Sequence, residues 1–283
     1  MEWKKVVIAA AAALILSMGE SGACTLWAAA GETAGGGTIL AKNRDWYPNH
    51  RQILKQVHPD GGYAYLGIYA ENKKVYSGFK AGINEKGLSI VNASASSIPR
   101  TERKEMGYTW KVMEHVLARC ASVGDALSYL STVQGPRFLL LADRKEIAQV
   151  EIGPYGLKRV ERKANGTLYH TNHYKEFPLT LFNELPGESS RVRNGRIGEI
   201  LQKKSRWTMD DFITVTSDQA AGADDSIFRT GSTKKSEKTI ASWVVRIPPE
   251  GAPELYVRLL NPHEPVREVR LTGEAMFETK EPR

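Results

Sequence analysis

Cys24 and the residues just before it carry the first chemical signal in the chain. MEWKKVVIAAAAALILSMGESGA reads as a cleavable export leader. Lys4 and Lys5 open it, an apolar run follows from Val6 to Leu16, and small residues Ser21 and Ala23 stand at −3 and −1 of a cleavage site. The run is too short to span a bilayer, which takes about 20 residues. Cleavage after Ala23 makes Cys24 the first residue of a mature chain, 24–283. A thiol beside a free α-amine is a nucleophile with its own base, because that amine titrates near ~8. Two plainer readings compete. A lipoprotein cysteine would be acylated on both sulfur and nitrogen, although Ser21 stands where a lipobox usually has Leu. An incidental cysteine would do nothing.

Amide attack by such a thiol needs a cation or base beside the sulfur. It also needs an acceptor for the amine and preorganised donors for the tetrahedral oxyanion. Lys42 can supply the charge and Asp45 the acceptor. Asn172, at the end of a predicted strand, and Asn92, after the apolar run Leu88–Val91, are amide donors; Arg191 opens a helix after Ser189-Ser190. Taken singly each is ordinary, a turn or cap residue. Strand alternation puts Lys42 and Arg44 on one face and Asn43 and Asp45 on the other. Lys42 and Asp45 then reach a common site only through a bulge.

The elements that must position these groups alternate in type. Short β-prone runs cover Thr38–Trp46, Gln52–Val57, Ala64–Tyr69 and Lys74–Phe79, and a turn at Ala81–Lys86 leads into Gly87–Ala93. Helical patterns follow at Tyr108–Cys120 and Val123–Leu130, the second capped by Ser122 with Asp125 in its first turn. Strands return at Arg137–Ala142, Ile147–Ile152, Leu157–Arg162 and Leu168–Thr171, then helices at Ser190–Lys203 and Thr208–Val215. Gln219–Lys238 reads as loop, and Thr239–Ile247, Glu254–Leu259 and Val266–Leu271 as final strands. This order fits an α+β domain of two face-to-face sheets with helices outside.

Composition narrows the classes. A hydrophobic share of 41% supports a core, and the net charge of +7 is scattered rather than striped with aromatics, which argues against nucleic-acid binding. No second long apolar run follows the leader, so a soluble mature protein is expected. With no HExxH or CxxC spacing among the six His and two Cys, no metal site is expected. A Cys24–Cys120 disulfide would consume the nucleophile, and Cys120 reads instead as a buried, inert helix residue.

The chain resembles the thiol N-terminal-nucleophile (Ntn) hydrolases, the superfamily of penicillin V acylase and choloylglycine hydrolase. Within it the likeness is greatest to the acyl-CoA:6-aminopenicillanic acid acyltransferase-like branch. The likeness is carried by Cys24-Thr25, AKNRDW (Ala41–Trp46), INEKGLSI (Ile83–Ile90), HTNHY (His170–Tyr174), ESSRVR (Glu188–Arg193) and the late TIASWVVRIP and ELYVRLLNP runs. It implies one domain over 24–283, a four-layer αββα sandwich of Ntn-hydrolase type, and no metal or organic cofactor. It further implies Cys24 as nucleophile, its amine as base, Asp45 holding that amine, Asn172 donating to the oxyanion and Arg191 supporting the site. A second oxyanion or substrate position aligns with Asn92 or Ser94. Lys42 departs from the family's arginine and loses its planar fork; Arg44 is the compensating candidate.

The expectation is an exported, periplasmic or extracellular enzyme. It would cleave a linear non-peptide amide of a small N-acyl amine through an acyl-thioester, or transfer the acyl group, alone or as a homo-oligomer. The rivals are an N-terminal-cysteine dipeptidase, a lipid-anchored binding protein, and a papain-like dyad of Cys24 with His170 or His173.

Overall fold

The computed structural model describes residues 22–71, 78–185 and 187–278. The leader expectation therefore falls outside the described residues except for Gly22 and Ala23, and the Lys74–Phe79 expectation largely does too.

Two strands decide the architecture. β1 (Cys24–Ala30) and β2 (Thr38–Trp46) are buried on both faces. Leu26, Ala28 and Leu40 point one way, and Trp27, Ile39 and Ala41 the other. A strand apolar on both sides needs a layer on each. β1 and β2 sit inside a six-stranded antiparallel sheet with β10 (Gly166–His170) on one side and β11 (Lys238–Ile247), β12 (Glu254–Leu259) and β13 (Arg267–Thr272) on the other.

The facing sheet is a seven-stranded antiparallel meander in chain order. It runs β3 (Arg51–Val57), β4 (Tyr65–Glu71), β5 (Gly78–Asn84), β6 (Ser89–Ser94), β7 (Arg137–Ala142), β8 (Ile147–Ile152) and β9 (Lys158–Lys163). Leu26, Ile68, Ile83, Phe138, Leu140 and Trp243 fill the space between the sheets.

The helices close the outside. α1 (Arg100–Glu105) is one short turn-and-a-half. α2 (Val112–Arg119) and α3 (Val123–Leu130) bury Val116, Leu117, Val123 and Leu130 on the outer face of the meander. α4 (Glu188–Leu201) and α5 (Met209–Val215) bury Ile197, Leu201 and Phe212 against Trp27 and Val244 of the six-stranded sheet. α6 (Gly222–Asp225) is a short helix in the long loop. The layers are αββα, as expected. Among the described residues no helix is long and apolar enough to cross a membrane.

The β1–β2 turn sets the register of the site. Gly35, Gly36 and Gly37 all have positive φ, and a Cβ on Gly37 would strike the Ile247 carbonyl. The tight return places Cys24 opposite Arg44 and Leu26 opposite Lys42.

Two expectations change, and one short helix was not expected. The helix expected from Tyr108 begins at Val112, because Lys111 takes a left-handed φ of 50° and leaves Tyr108 and Trp110 exposed in the loop before it. The strand read as a turn at Ala81–Lys86 continues to Asn84. Asn84 Oδ1 accepts from the Lys86 and Leu88 N–H groups, so Asn84–Gly87 is itself the hairpin turn. α1 had no apolar period to announce it.

Candidate active site

Cys24 opens β1 and is 5% exposed, with its side chain among the groups between the sheets. Both cations expected on that face are there. Lys42 Nζ donates to Asn92 Oδ1 (2.8 Å), Asn92 O (2.6 Å) and Lys80 O (2.8 Å). Burial pulls Lys42 down from its ordinary 10.5 to about 8, while the Cys24 thiol beside it acts in the opposite sense, by charge and by hydrogen bonding. Arg44 Nε donates to Gln52 Oε1 (2.7 Å), and its guanidinium lies over Trp46; burial pulls it to about 10.

Asp45 lies on the other face of β2. Its Oδ1 accepts from Thr239 Oγ1 (2.8 Å), and its Oδ2 is buried without a hydrogen-bond partner. Burial raises the Asp45 carboxyl above the usual range, against the pull of Arg229 and Arg193. Arg229 is itself paired with Glu237 (2.6 Å). The Asp45 N–H donates to the Ala23 carbonyl (2.9 Å). A bulge exists, but in the neighbouring strand: Thr239 stands opposite Asp45 and Ala241 opposite Arg44, so Ile240 is the extra residue of β11. β2 keeps its alternation. Lys42 lies beside the Cys24 thiol, while Asp45 touches this end of β1 through its N–H on the Ala23 carbonyl, its carboxylate being held by Thr239.

Asn172 grips that nitrogen. Its Oδ1 accepts from Cys24 N–H (2.9 Å) and Arg193 Nη2 (3.1 Å), and its Nδ2 donates to the carbonyls of Gly22 (3.2 Å) and Ser94 (3.0 Å). Two donors converging on Oδ1 fix the amide orientation. The expected role was oxyanion donor alone; the carbonyl end of this amide sits on the Cys24 nitrogen, and the Nδ2 end is on the Gly22 and Ser94 carbonyls. The loop is held from below. Asn172 N–H donates to Ser190 Oγ (2.8 Å), His173 Nδ1 lies 2.8 Å from the same oxygen, and His170 Nε2 is 2.7 Å from Glu151. Burial pulls His173 down to about 4, so it is neutral near pH 7. Both histidines are thus engaged away from the Cys24 sulfur.

The arginine in the site is Arg193, not Arg191. Arg193 is 1% exposed and donates through Nη1 to Cys24 O (2.7 Å) and Thr25 Oγ1 (3.0 Å). Arg191 is exposed. Residues two apart on a helix point to different sides. The buried stripe of α4 runs through Ser190, Arg193, Ile197 and Ile200–Leu201. Its apolar members were legible, and counting back four from Ile197 gives Arg193.

Of the two positions expected to face substrate, Asn92 is bound to Lys42 and lines a cavity of about 140 Å³ together with Ser94, and Ser94 also lines a groove of about 600 Å³ with Gly22, Trp46 and Lys80. Cys24 and Cys120 are both free, and burial pushes the Cys120 thiol to about 11. Among the described residues no group of three or more His, Cys, Asp and Glu could hold a metal ion.

The family of acyl-coenzyme A:6-aminopenicillanic acid acyl-transferase matches residues 33–257. The chain belongs to this family. Membership makes it an enzyme of amide-bond hydrolysis or acyl transfer. Lys42, Asp45, Asn92, Ser94, Asn172 and Arg193 lie within the matched span and Cys24 lies before it. Among solved structures the chain is similar to penicillin V acylase from Agrobacterium tumefaciens, at 17% identity and a TM-score of 0.45, covering 87% of this chain and 86% of that one. No curated protein matches the chain.

Lys80 and the Arg229–Glu237 pair had no forecast. Glu237 stands just before β11 in a polar loop that gives no periodic signal, and Lys80 is re-aimed by an irregularity in β5 that no residue pattern marks.

Proposed function

We propose that Cys24, freed by loss of the leader, is the nucleophile of an exported amide hydrolase or acyltransferase acting on small N-acyl amines. The observation that carries this reading is a division of labour at one residue. The Cys24 nitrogen is on Asn172 Oδ1, and its sulfur side faces Lys42. The α-amine takes the thiol proton, and the sulfur anion, facing Lys42 and Arg44, attacks the amide carbon. The oxyanion takes the Asn172 Nδ2 donor that the Gly22 carbonyl occupies while the leader is attached. Collapse passes the amine proton to the leaving amine and leaves an acyl-thioester. Water or a second amine then releases the acyl group. Asp45 Oδ2, buried and unpartnered, accepts from the ammonium once cleavage adds protons to that nitrogen. The scheme needs no metal or cofactor.

Ala23 is 7% exposed, with its carbonyl held by Asp45 N–H. A signal peptidase therefore acts before this end folds, or Cys24 cleaves its own peptide bond with the Asp45 N–H on the oxyanion.

The test is mass spectrometry and N-terminal sequencing of the exported protein, then quenched reaction with an N-acyl amide. We expect a chain starting at an unmodified Cys24 that gains one acyl group, with neither mass change nor turnover in Cys24→Ser. A lipidated Cys24, or a start elsewhere, refutes the reading. Turnover confined to free dipeptides selects the dipeptidase.

A further inference from the structure

Glu151 is a fully buried carboxylate on β8, in the sheet opposite the one that carries Cys24. A buried charge needs partners. Glu151 finds them on the loop that leaves β10, from His170 to Glu176. Its Oε1 lies 2.7 Å from His170 Nε2 and accepts from the Lys175 N–H (2.7 Å), and its Oε2 accepts from the Glu176 N–H (3.2 Å). One side chain therefore closes both ends of the loop. Asn172 lies between the two points of attachment.

The geometry also fixes the protons. Two backbone N–H groups on one carboxyl favour its anion. His170 Nδ1 is 3.0 Å from the Thr171 carbonyl while Nε2 faces Glu151, so both ring nitrogens meet acceptors. Only the imidazolium donates from both. Its ring packs on Phe138 with centroids 4.1 Å apart, Tyr174 meets the same Phe138 edge-on, and the pair is shielded from solvent. Lys175 adds positive charge nearby, but its Nζ is on the Tyr169 carbonyl (3.0 Å) and its charge is shared with Glu161 and Glu176. Arg191 and Arg103 act on the loop at His173 and Tyr174, and His173 itself is neutral near pH 7. His170 is the direct counter-ion of Glu151.

The loop carries the group that meets Cys24. Asn172 Oδ1 accepts from the Cys24 N–H (2.9 Å), and its Nδ2 donates to the Ser94 carbonyl (3.0 Å). A drift of about 1 Å breaks such bonds. Ser190 ties this loop to α4, and Glu151 ties it to the opposite sheet.

We propose that Glu151 and His170 form a buried ion pair that positions Asn172 against Cys24, with Glu151 a positioning residue of the reaction. That the reaction takes place at Cys24 rests on the reading above.

Two measurements on the exported protein separate the pair from the nucleophile. NMR of protein isotope-labelled at His and Asn nitrogens follows the His170 ring and the Asn172 side-chain amide. Quenched single turnover with an N-acyl amide follows thioester formation. In wild type at pH 7 both His170 nitrogens should carry protons. Glu151→Gln points an N–H at another donor and should leave His170 neutral and displace the Asn172 amide signals. It should also lower the rate constant for thioester formation about tenfold and leave the half-saturating amide concentration within about twofold. Glu151→Asp should restore the imidazolium and part of the rate. A merely structural pair would lower the amplitude, which counts competent molecules, and not the rate constant. Where Glu151→Gln does not fold, His170→Gln, which keeps a donor toward Glu151 without the charge, should give the same displacement and loss. A neutral His170 in wild type, unmoved Asn172 signals, or a rate constant within about twofold of wild type overturns the proposal. Displaced Asn172 signals in a protein whose wild type forms no thioester support the pair and refute the nucleophile.

Discussion

The two faces of β2 around Cys24 are built on opposite principles. On the face between the sheets stand Lys42 and Arg44, with Lys80 nearby, and burial pulls all three downward. On the outer face Asp45 and Glu237 balance Arg193 and Arg229, and the four are tied by an ion pair and hydrogen bonds to Thr239, Thr25 and Asn172. The outer face is neutral in sum and satisfied at rest apart from a few buried atoms, notably Asp45 Oδ2. The inner face carries positive charge that is offset only in part, by Glu114 acting on Lys80 and by Asp45 acting through the strand on Lys42 and Arg44. A site complementary to charge that develops during reaction has this imbalance, since its gain comes when an anion forms. The outer face instead suits holding an amine in place.

Asn172 joins the two faces, so removing it should have the largest effect. Asn172→Ala takes away the acceptor on the Cys24 nitrogen and the donor beside Ser94 together. Loss of one oxyanion donor costs roughly a hundredfold to a thousandfold in kcat. We expect at least that, read as acyl-thioester formation in single-turnover experiments. A loss confined to KM would show that Asn172 belongs to binding and would dissolve the distinction between the faces.

Lys42→Met tests the inner face alone. We expect a loss of roughly tenfold to a hundredfold in kcat/KM, the worth of a hydrogen bond to a charged group. Lys42→Arg should keep most activity and lose any pH dependence near 8. Stability gives an independent reading. Lys42 titrates at about 8 when folded and near 10.5 otherwise, so between those pH values the unfolded chain binds more protons. Wild-type stability then rises with pH across that window, by roughly 3 kcal/mol at most. Denaturant melts at pH 7 and pH 11 should show a rise in wild type that is smaller by about this amount in Lys42→Met, the remainder coming from Lys80 and Arg44, which burial also pulls down.

The sequence disclosed the faces better than their contents. β2 has its expected bounds, and its alternation correctly separates Lys42 and Arg44 from Asn43 and Asp45, because both neighbouring layers are apolar and tolerate no slip. What alternation could not reveal is that the Cys24 nitrogen is met by Asn172 from another strand's end, with no bulge in β2. The bulges that do occur, at Ile240 and Lys80, leave no mark in residue type, since each is fixed by pairing with another strand. Asn92 and Ser94 were legible as a pair of neighbours. Which one meets Lys42 and which the groove depended on how the sheets stack, information held in no single segment.

The smallest expected effect concerns α4, and it sharpens the comparison because the two arginines differ only in helical phase. Arg193 forks between the Cys24 carbonyl, Thr25 Oγ1 and Asn172 Oδ1, a planar arrangement a lysine ammonium cannot reproduce. Arg193→Lys should keep the charge opposite Asp45 yet lower kcat/KM about tenfold, through looser placement of Asn172. Arg191→Lys should change stability by no more than about 0.5 kcal/mol and leave turnover unaltered, since that side chain is exposed. Steady-state kinetics on the two variants with one N-acyl amide decides the matter. Equal losses would mean that α4 acts through its overall charge rather than through one buried fork, and the outer face would then be an electrostatic field and not a clamp.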